Sequence, residues 1–278
     1  MQALNRRSAR SGIALAALLA SIMLPGVARA TDPADKYYYE VGLYLWGPMV
    51  AGDVDTDRGS ASMHVSFSDL LKNLNVAGML RARAQLDKFS IVFDGEYMDL
   101  ESDREHRTIR LGPRGNLEID ANAKAELDMW IMELNGGYQL FQTRSPYAVG
   151  DASPMHFTTE LYGGARYYSM KPSIDVNIGN FSNTFGERTT WVDGVVGLRF
   201  GMDLSKTVNF GVQGDVGGFD IGNSSKFSWS QITSLGWDVT DSMRIYLGYK
   251  FLDWKKDLGD SKYKIQLRGP FLASSIRF

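Results

Sequence analysis

Residues 76–97 read VAGMLRARAQLDKFSIVFDGEY, and this stretch decides the fold. From 76 to 86, small or apolar residues alternate with a second set that includes two arginines, and the alternation resumes over 89–97 after the interruption at Asp87-Lys88. Successive side chains of a strand point to opposite faces of its sheet, so the stretch predicts two strands joined by a tight turn. Each has about ten residues, as a tilted strand needs to cross a bilayer, whereas strands of soluble proteins have about five or six.

The same alternation recurs to the end of the chain and predicts about ten strands. They are Tyr37–Gly47, Val76–Leu86, Phe89–Tyr97, Ala125–Phe141, Phe157–Ser169, Val192–Met202, Val208–Gly218, Phe227–Trp237, Met243–Phe251 and Tyr263–Phe278. Three connections on the side of the chain ends are short, and most on the other side are long, an asymmetry typical of outer-membrane barrels. The prediction is an all-β fold, a closed antiparallel up-and-down transmembrane β-barrel, with about eight or twelve strands left open as alternatives.

The composition excludes several other classes of protein. The chain has no cysteine, which excludes disulfides, thiolate metal sites and cysteine nucleophiles. Its net charge is -2, and its charges are interspersed, so the sequence lacks the clustered basic surface of a protein that binds nucleic acid. It also lacks the repeated long apolar spans of a helical membrane protein.

The first thirty residues have the features of a secretory signal peptide. A segment with three arginines precedes the apolar stretch Ile13–Leu24, and the cleavage motif Ala28-Arg29-Ala30 follows. We therefore predict cleavage near Ala30 and a single barrel over residues 31–278 in the outer membrane of a Gram-negative bacterium.

The inward positions of the predicted strands carry charges of both signs. The candidate lumen residues, structural or pore-lining, are Glu40, Arg81, Arg83, Asp94, Glu96, Glu133, Glu160, Arg166, Arg199, Asp215 and Arg244. We expect Arg81 to face Asp94 across the first hairpin, and Arg83 to face Glu96. A barrel of about eight strands is just wide enough for its own side chains, and open porins have about 16–18 strands. The sequence therefore predicts a salt-bridged interior without a wide pore.

Aromatic residues lie near the predicted strand ends, where tryptophan favours the membrane interface. Alternation places Trp130 and Trp229 on the lipid-facing side. It turns Trp46, Trp191 and Trp254 inward.

The last strand ends on Phe278, with Pro270, Leu272 and Ile276 at alternate positions before it. A final strand with a terminal phenylalanine resembles the signal that outer-membrane barrels present to the barrel-assembly machinery. The resemblance implies that Phe278 is an assembly signal. It also implies that this machinery and periplasmic chaperones are partners during biogenesis.

Several motifs in the first part of the mature chain carry a second resemblance. They are Leu45-Trp46-x-Pro48, Gly52-Asp53-Val54, Val65-x-Phe67-Ser68-Asp69-Leu70-Leu71, Asn73-Leu74 and Phe93-Asp94-Gly95-x-Tyr97-Met98-Asp99-Leu100. Together they resemble an uncharacterised family of proteobacterial outer-membrane proteins, small porin-like barrels with a terminal phenylalanine. This resemblance implies a fold and a cellular location, and it implies no particular activity.

Candidate chemistry is weak in this sequence. The histidines His64, His106 and His156 stand apart, without the spacing of metal ligands. His64-Val65-Ser66 resembles in miniature a motif of outer-membrane lipid A deacylases, but it lies in a long connection and no acid can be assigned to it. Asp53-x-Asp55-x-Asp57 lacks the glycine and glutamate that an EF-hand loop needs, and a strand extension fits it better. We expect no metal, no cofactor and no enzyme activity.

The segment Ser66–Leu74 predicts a short amphipathic helix. Ser66 would cap its N-terminus, and the side chain of Asp69, three residues later, would reach back to the backbone N–H of Ser66. Its apolar residues share one face. That face could enter the barrel mouth, lie against the rim and lipopolysaccharide, or form a small core within its own loop.

The sequence favours a structural or surface-interaction barrel in contact with outer-membrane lipid and lipopolysaccharide. A narrow channel for a small solute or ion is the alternative, and a lipid A-modifying enzyme is a second one. We expect no nucleic-acid partner.

Overall fold

The computed structural model describes residues 37–56, 59–65, 74–101, 105–111, 117–144, 156–178, 181–185, 188–258 and 261–278. These residues form fourteen strands: β1 Tyr37–Trp46, β2 Met49–Thr56, β3 Gly59–Val65, β4 Leu74–Leu86, β5 Phe89–Glu101, β6 Glu105–Leu111, β7 Leu117–Arg144, β8 His156–Ile178, β9 Phe181–Phe185, β10 Thr189–Asp203, β11 Val208–Gly217, β12 Phe227–Asp238, β13 Met243–Leu258 and β14 Ser261–Arg277. Among the described residues, no helix is long and apolar enough to cross a membrane.

Ten strands close into one antiparallel barrel. Their order around the ring is β1-β4-β5-β7-β8-β10-β11-β12-β13-β14, and β14 pairs with β1 to complete it. At this seam Glu40 lies opposite Arg277, and Trp46 lies opposite Phe271. Closure pairs the backbone groups of every strand, which a lipid environment requires. The predicted closed up-and-down barrel is confirmed, with ten strands in its ring.

The remaining four strands extend the wall beyond the ring at one end. The β2–β3 hairpin pairs with β14, β6 pairs with β7, and β9 pairs with β8. β7 and β8 are longer than predicted, with 28 and 23 residues, and continue into this extension. The thickness of the bilayer limits how far the alternating apolar pattern extends along a strand. Hydrogen bonding between neighbouring strands continues beyond the end of that pattern. We call this end the distal end, and the end that holds Tyr37 and Phe278 the proximal end.

Every strand of the ring carries apolar side chains on its outer face. One exposed example from each strand is Val41, Leu80, Ile91, Leu134, Leu161, Val196, Val216, Leu235, Leu247 and Leu272. An apolar exterior around a polar interior is typical of a transmembrane barrel.

The tryptophans follow the predicted alternation. Trp130 is exposed on the outside, whereas Trp46, Trp191 and Trp254 are buried in the lumen. This prediction is confirmed for those four residues.

Candidate functional site

The distal half of the interior is filled by apolar and aromatic side chains, which we call the distal plug. Its buried members are Tyr44, Trp46, Val50, Met79, Met98, Met129, Ile131, Tyr168, Trp191, Leu252, Trp254 and Leu267. Tyr168 on β8 stacks on Trp191 of the neighbouring strand β10, with ring centroids 4.7 Å apart. Its ring also lies 5.2 Å from the ring of Trp254 on β13. Because β8 and β13 are on opposite sides of the ring, this contact bridges the lumen.

The loop of residues 218–226 folds over the plug. The backbone N–H of Ser225 donates to Asp193 Oδ1 at 2.6 Å, and Trp191 Nε1 donates to Ser225 Oγ at 2.9 Å. The ammonium group of Lys256 donates to two carbonyl oxygens of the loop, at 2.8 and 3.3 Å. The plug therefore has a hydrogen-bonded cover at the distal end.

Charged groups at the two rims lie outside the apolar band. Lys226, at the end of the covering loop, donates to Asp257, and this hydrogen bond raises the pKa of Lys226. At the proximal rim Nδ1 of His156 lies 3.6 Å from the carboxylate of Asp203. Both contacts tie strand ends together at the edges of the barrel.

Below the plug, a layer of buried ion pairs crosses the lumen. Lys250 on β13 pairs with Glu96 on β5, which lies on the opposite side of the ring. The hydroxyl oxygen of Tyr44 lies within hydrogen-bonding distance of both carboxylates, 2.6 Å from Glu96 and 2.5 Å from Asp94. This layer therefore joins β1, β5 and β13.

A second group in the same layer centres on Arg166. Its guanidinium pairs with Glu133 at 2.5 Å and with Asp215 at 2.8 Å. Tyr162 also donates to Asp215, at 2.9 Å. A side chain at Gly197 would lie 2.7 Å from the Tyr162 ring, so glycine leaves the space that this tyrosine occupies.

Three arginines lie on the proximal side of this layer. Arg81 and Arg199 both donate to Gln213 Oε1, at 2.9 and 3.0 Å. Arg199 also pairs with Glu160, and Arg83 pairs with the same carboxylate at 2.5 Å. We call Arg81, Arg83 and Arg199 the arginine cluster.

The predicted pairing within the first hairpin is correct for one arginine and wrong for the other. Arg81 pairs with Asp94 at 2.9 Å, but Arg83 does not face Glu96. In an antiparallel hairpin, residue numbers rise along one strand as they fall along the other. Arg83 is two residues nearer the turn than Arg81, so it lies opposite Val92, two residues nearer the turn than Asp94. Its side chain instead crosses part of the lumen to the carboxylate on β8.

The proximal half of the interior is an open cavity of about 1010 Å³, which we call the proximal basin. The arginine cluster lines its inner part, and Lys88, Asp203 and Arg277 lie at its rim. Several residues of its wall are small: Gly42, Gly201, Gly211, Ser234, Ala273 and Ser275. The cavity exists because these side chains leave the space of the lumen unfilled.

The structure places every predicted lumen charge in the interior. Glu40 and Arg244 lie at the proximal rim, where they pair with Arg277 at 3.2 Å and Asp238 at 2.5 Å. The other predicted residues belong to the layer of ion pairs or to the arginine cluster. Sequence reasoning missed the neutral partners Tyr44, Tyr162 and Ser230, since only charged residues were collected. It also missed Arg277, although the same alternation turns it inward.

Other candidates lie partly or wholly outside the described residues. These include residues 1–36 with the signal peptide, residues 66–73 of the predicted helix, and Asp57. His64, which the sequence places in a long connection, lies on β3, and β3 extends the wall through its pairing with β2, which pairs with β14. Residues 49–56 do form the expected strand extension. Within the described part of the chain, no group of acidic residues and histidines could hold a metal ion.

The fold and this interior define a transmembrane-type β-barrel with a filled distal half and an open proximal half. No family model matches the sequence, and no curated protein matches it significantly. The outer membrane protease OmpT from Escherichia coli is similar at 8% identity and a TM-score of 0.46, over 88% of this chain and 98% of that one.

Two further solved structures are similar at comparably low levels. The translocator domain of autotransporter NalP from Neisseria meningitidis is 12% identical, with a TM-score of 0.40, over 100% of this chain and 98% of that one. Neisserial surface protein A is 12% identical, with a TM-score of 0.30, over 89% and 100% of the two chains. Likeness at this level carries no activity or ligand to this chain, whose fold rests on its own strand pairing.

Proposed function

We propose that this protein is an integral β-barrel of the bacterial outer membrane, with a structural or surface-interaction role and no wide open pore. The contact of Tyr168 with Trp254 across the lumen carries this proposal, because it blocks a direct path between the two ends. The covering loop and the layer of ion pairs add two further obstructions along the same path.

The surface of the barrel supports the proposed location and partners. Exposed apolar residues lie on the outer face of every strand of the ring, as contact with outer-membrane lipid requires. Outer-membrane barrels have short periplasmic turns and longer extracellular loops. The short turns at Asp87-Lys88 and after Asp203 therefore favour a periplasmic proximal end. The distal end would then contact lipopolysaccharide, and Phe278 would meet the barrel-assembly machinery and periplasmic chaperones from the periplasm.

Single-channel recording in planar bilayers tests the absence of a pore. We expect no stable porin-like conductance from the purified protein. Trp254→Ala removes one side of the contact across the lumen and should permit small conductance events. Trp130→Ala removes a tryptophan from the outer surface and should leave the bilayer silent. Stable porin-like conductance of the unmodified protein would refute the proposal.

The proximal basin favours a narrow channel as the second candidate function. Half of the lumen is already open, so a rearrangement confined to the distal plug would complete a path. Under this alternative the unmodified protein shows brief small openings, and a voltage or solute gradient changes how often they occur. The same recordings therefore separate the two candidates.

We also propose that the barrel is not an enzyme. In support, the lumen charges have structural partners: Glu133 and Asp215 pair with Arg166, and Glu160 pairs with two arginines. Mass spectrometry of lipid A from cells with and without the protein tests this view. A change in acyl chains or headgroup that depends on the protein would support the envelope enzyme instead.

A further inference from the structure

We propose that the proximal basin binds a small organic anion, whose carboxylate or phosphate group lies against the arginine cluster and which enters from the periplasmic end. This inference goes beyond the proposed function because it assigns a ligand class to the interior. It depends on the cavity and its charges, and not on whether the plug conducts.

The first argument is the balance of charge at the inner part of the basin. The three guanidinium groups of the arginine cluster contact two carboxylates, Asp94 and Glu160. Both carboxylates also accept hydrogen bonds from neutral hydroxyl groups, Tyr44 at 2.5 Å and Ser90 at 2.8 Å. By direct contact the cluster has three positive charges against two negative ones, and the adjoining layer has the opposite excess because Arg166 pairs with both Glu133 and Asp215. Guanidinium groups bind carboxylate and phosphate oxygens with well-matched geometry.

The second argument is the unused hydrogen-bonding capacity of the cluster. The Arg199 side chain is 9% exposed, and its Nη2 has no hydrogen-bond partner among the described residues. Arg83 Nε is also unpartnered. Buried donors normally have partners. Because both nitrogens are themselves buried, a ligand oxygen would reach them only after the arginine side chains turn towards the basin. The side chains of Arg81 and Arg83 are still 34% and 22% exposed, so an anion in the basin can reach them.

The third argument is the size and lining of the cavity. A volume of about 1010 Å³ lies at the upper end of the range for small-molecule sites, roughly 300–1,000 Å³. Ile232 and Phe271 add apolar surface to the wall, which suits the carbon skeleton of an organic molecule rather than a bare inorganic ion. The small residues at Gly211 and Ser234 keep the space open.

Isothermal titration calorimetry on the purified protein in detergent micelles tests the proposal. The probes are glycerol 3-phosphate and succinate, and the cationic diamine putrescine is the control. We expect saturable binding of at least one anion that weakens as sodium chloride is raised, and none of putrescine. Binding of one anion alone identifies the charged group of the ligand and supports the proposal. Failure of both anions to bind, or equal binding of putrescine, overturns it.

A pair of matched variants locates the site. At Gly211 an added Cβ would have as its nearest neighbours Ser234 Oγ at 3.3 Å and a backbone oxygen at 3.9 Å, so Gly211→Phe fills the basin and leaves every arginine in place. Val212→Phe places the same ring on the outside of the barrel. We expect at least a tenfold loss of anion affinity for Gly211→Phe and for Arg199→Gln, and no change for Val212→Phe. Unchanged binding to both Gly211→Phe and Arg199→Gln would place the anion elsewhere and overturn the proposal.

The absence of cysteine from the chain allows a second, independent measurement. Ser234→Cys introduces one thiol into the wall of the basin. A negatively charged methanethiosulfonate reagent should modify it faster than a positively charged reagent of similar size, and a bound anion probe should slow the reaction. Faster modification by the cationic reagent would contradict an anion-binding basin. The conductance experiment is separate, so failure here leaves the proposed function standing.

Discussion

The distal and proximal halves of the lumen differ in how they are filled, although the same strands enclose both. In the distal half the inward residues are large, and rings such as those of Tyr168 and Trp254 meet in the middle. In the proximal half many inward residues are small, as at Gly211 and Ser234, and a cavity of about 1010 Å³ remains. Alternation along the strands decides which side chains face inward, but their size decides whether the lumen is filled.

This difference implies that the two halves are stabilised in different ways. The distal half gains stability from packing between side chains of opposite walls. The proximal half depends on ion pairs and on the hydrogen bonds between neighbouring strands, including the seam of β1 and β14. Substitutions can separate these contributions, because each half offers a matched residue on the outer surface.

The largest loss of stability is expected from truncation in the distal plug. Trp254→Ala removes a fully buried ring and should lower the free energy of unfolding by about 3–5 kcal/mol. Trp130→Ala, on the outer surface, should cost clearly less. Urea titration in detergent micelles, followed by circular dichroism, measures both variants. Similar losses for the two tryptophans would mean that packing across the lumen does not stabilise the distal half.

Reversal of a charge at the boundary between the halves comes next. Arg83→Glu leaves the new carboxylate facing Glu160 and should destabilise the barrel by about 3–5 kcal/mol, towards the lower end because Arg83 is partly exposed. Glu160→Arg restores a pair with position 83 but takes the carboxylate away from Arg199, so the double variant should recover only part of the loss in the same urea titration.

The control for this rescue is a substitution at Glu96. Glu96 pairs with Lys250, so Arg83→Glu combined with Glu96→Arg should be at least as unstable as the single variant. Rescue by Glu96→Arg and not by Glu160→Arg would contradict the observed pairing of Arg83.

The sequence predicts the wall of this barrel better than its contents. Alternation correctly places the strands of the ring and turns Trp46, Trp191 and Trp254 inward. It does not predict which inward residues meet, because neighbours across a lumen depend on the tilt and stagger of the strands. The pairing of Arg83 with Glu160 on β8 is one such contact. Neither the filled distal half nor the proximal basin follows from the alternation, since both depend on the summed volumes of residues far apart in the chain.

A smaller loss is expected at the outer surface. Leu247 lies mid-strand on the outside of β13, so Leu247→Arg should cost about 2–4 kcal/mol in lipid vesicles. Ser234→Arg, directed into the proximal basin, should cost less because the cavity can hold the side chain and its water. An arginine at the inward position 213 would be a poorer control than one at 234, because Gln213 already accepts hydrogen bonds from Arg81 and Arg199. Equal losses at positions 247 and 234 would remove the distinction between a lipid-facing wall and an open basin.

The smallest equilibrium effect is expected at the proximal seam. Phe278 and Tyr39 exchange two backbone hydrogen bonds, of 2.8 and 2.9 Å. Deletion of Phe278 removes both and should lower stability by about 1–2 kcal/mol. Phe278→Ala keeps these bonds and loses only the stacking of the two rings, whose centroids are 6.1 Å apart, so its stability should be nearly unchanged.

If the phenylalanine ring is the assembly signal, both variants should accumulate more slowly as heat-modifiable barrel in pulse-chase experiments, whereas Tyr39→Ala should not. Normal assembly of Phe278→Ala would instead assign the role of this residue to the strand pairing that closes the proximal end.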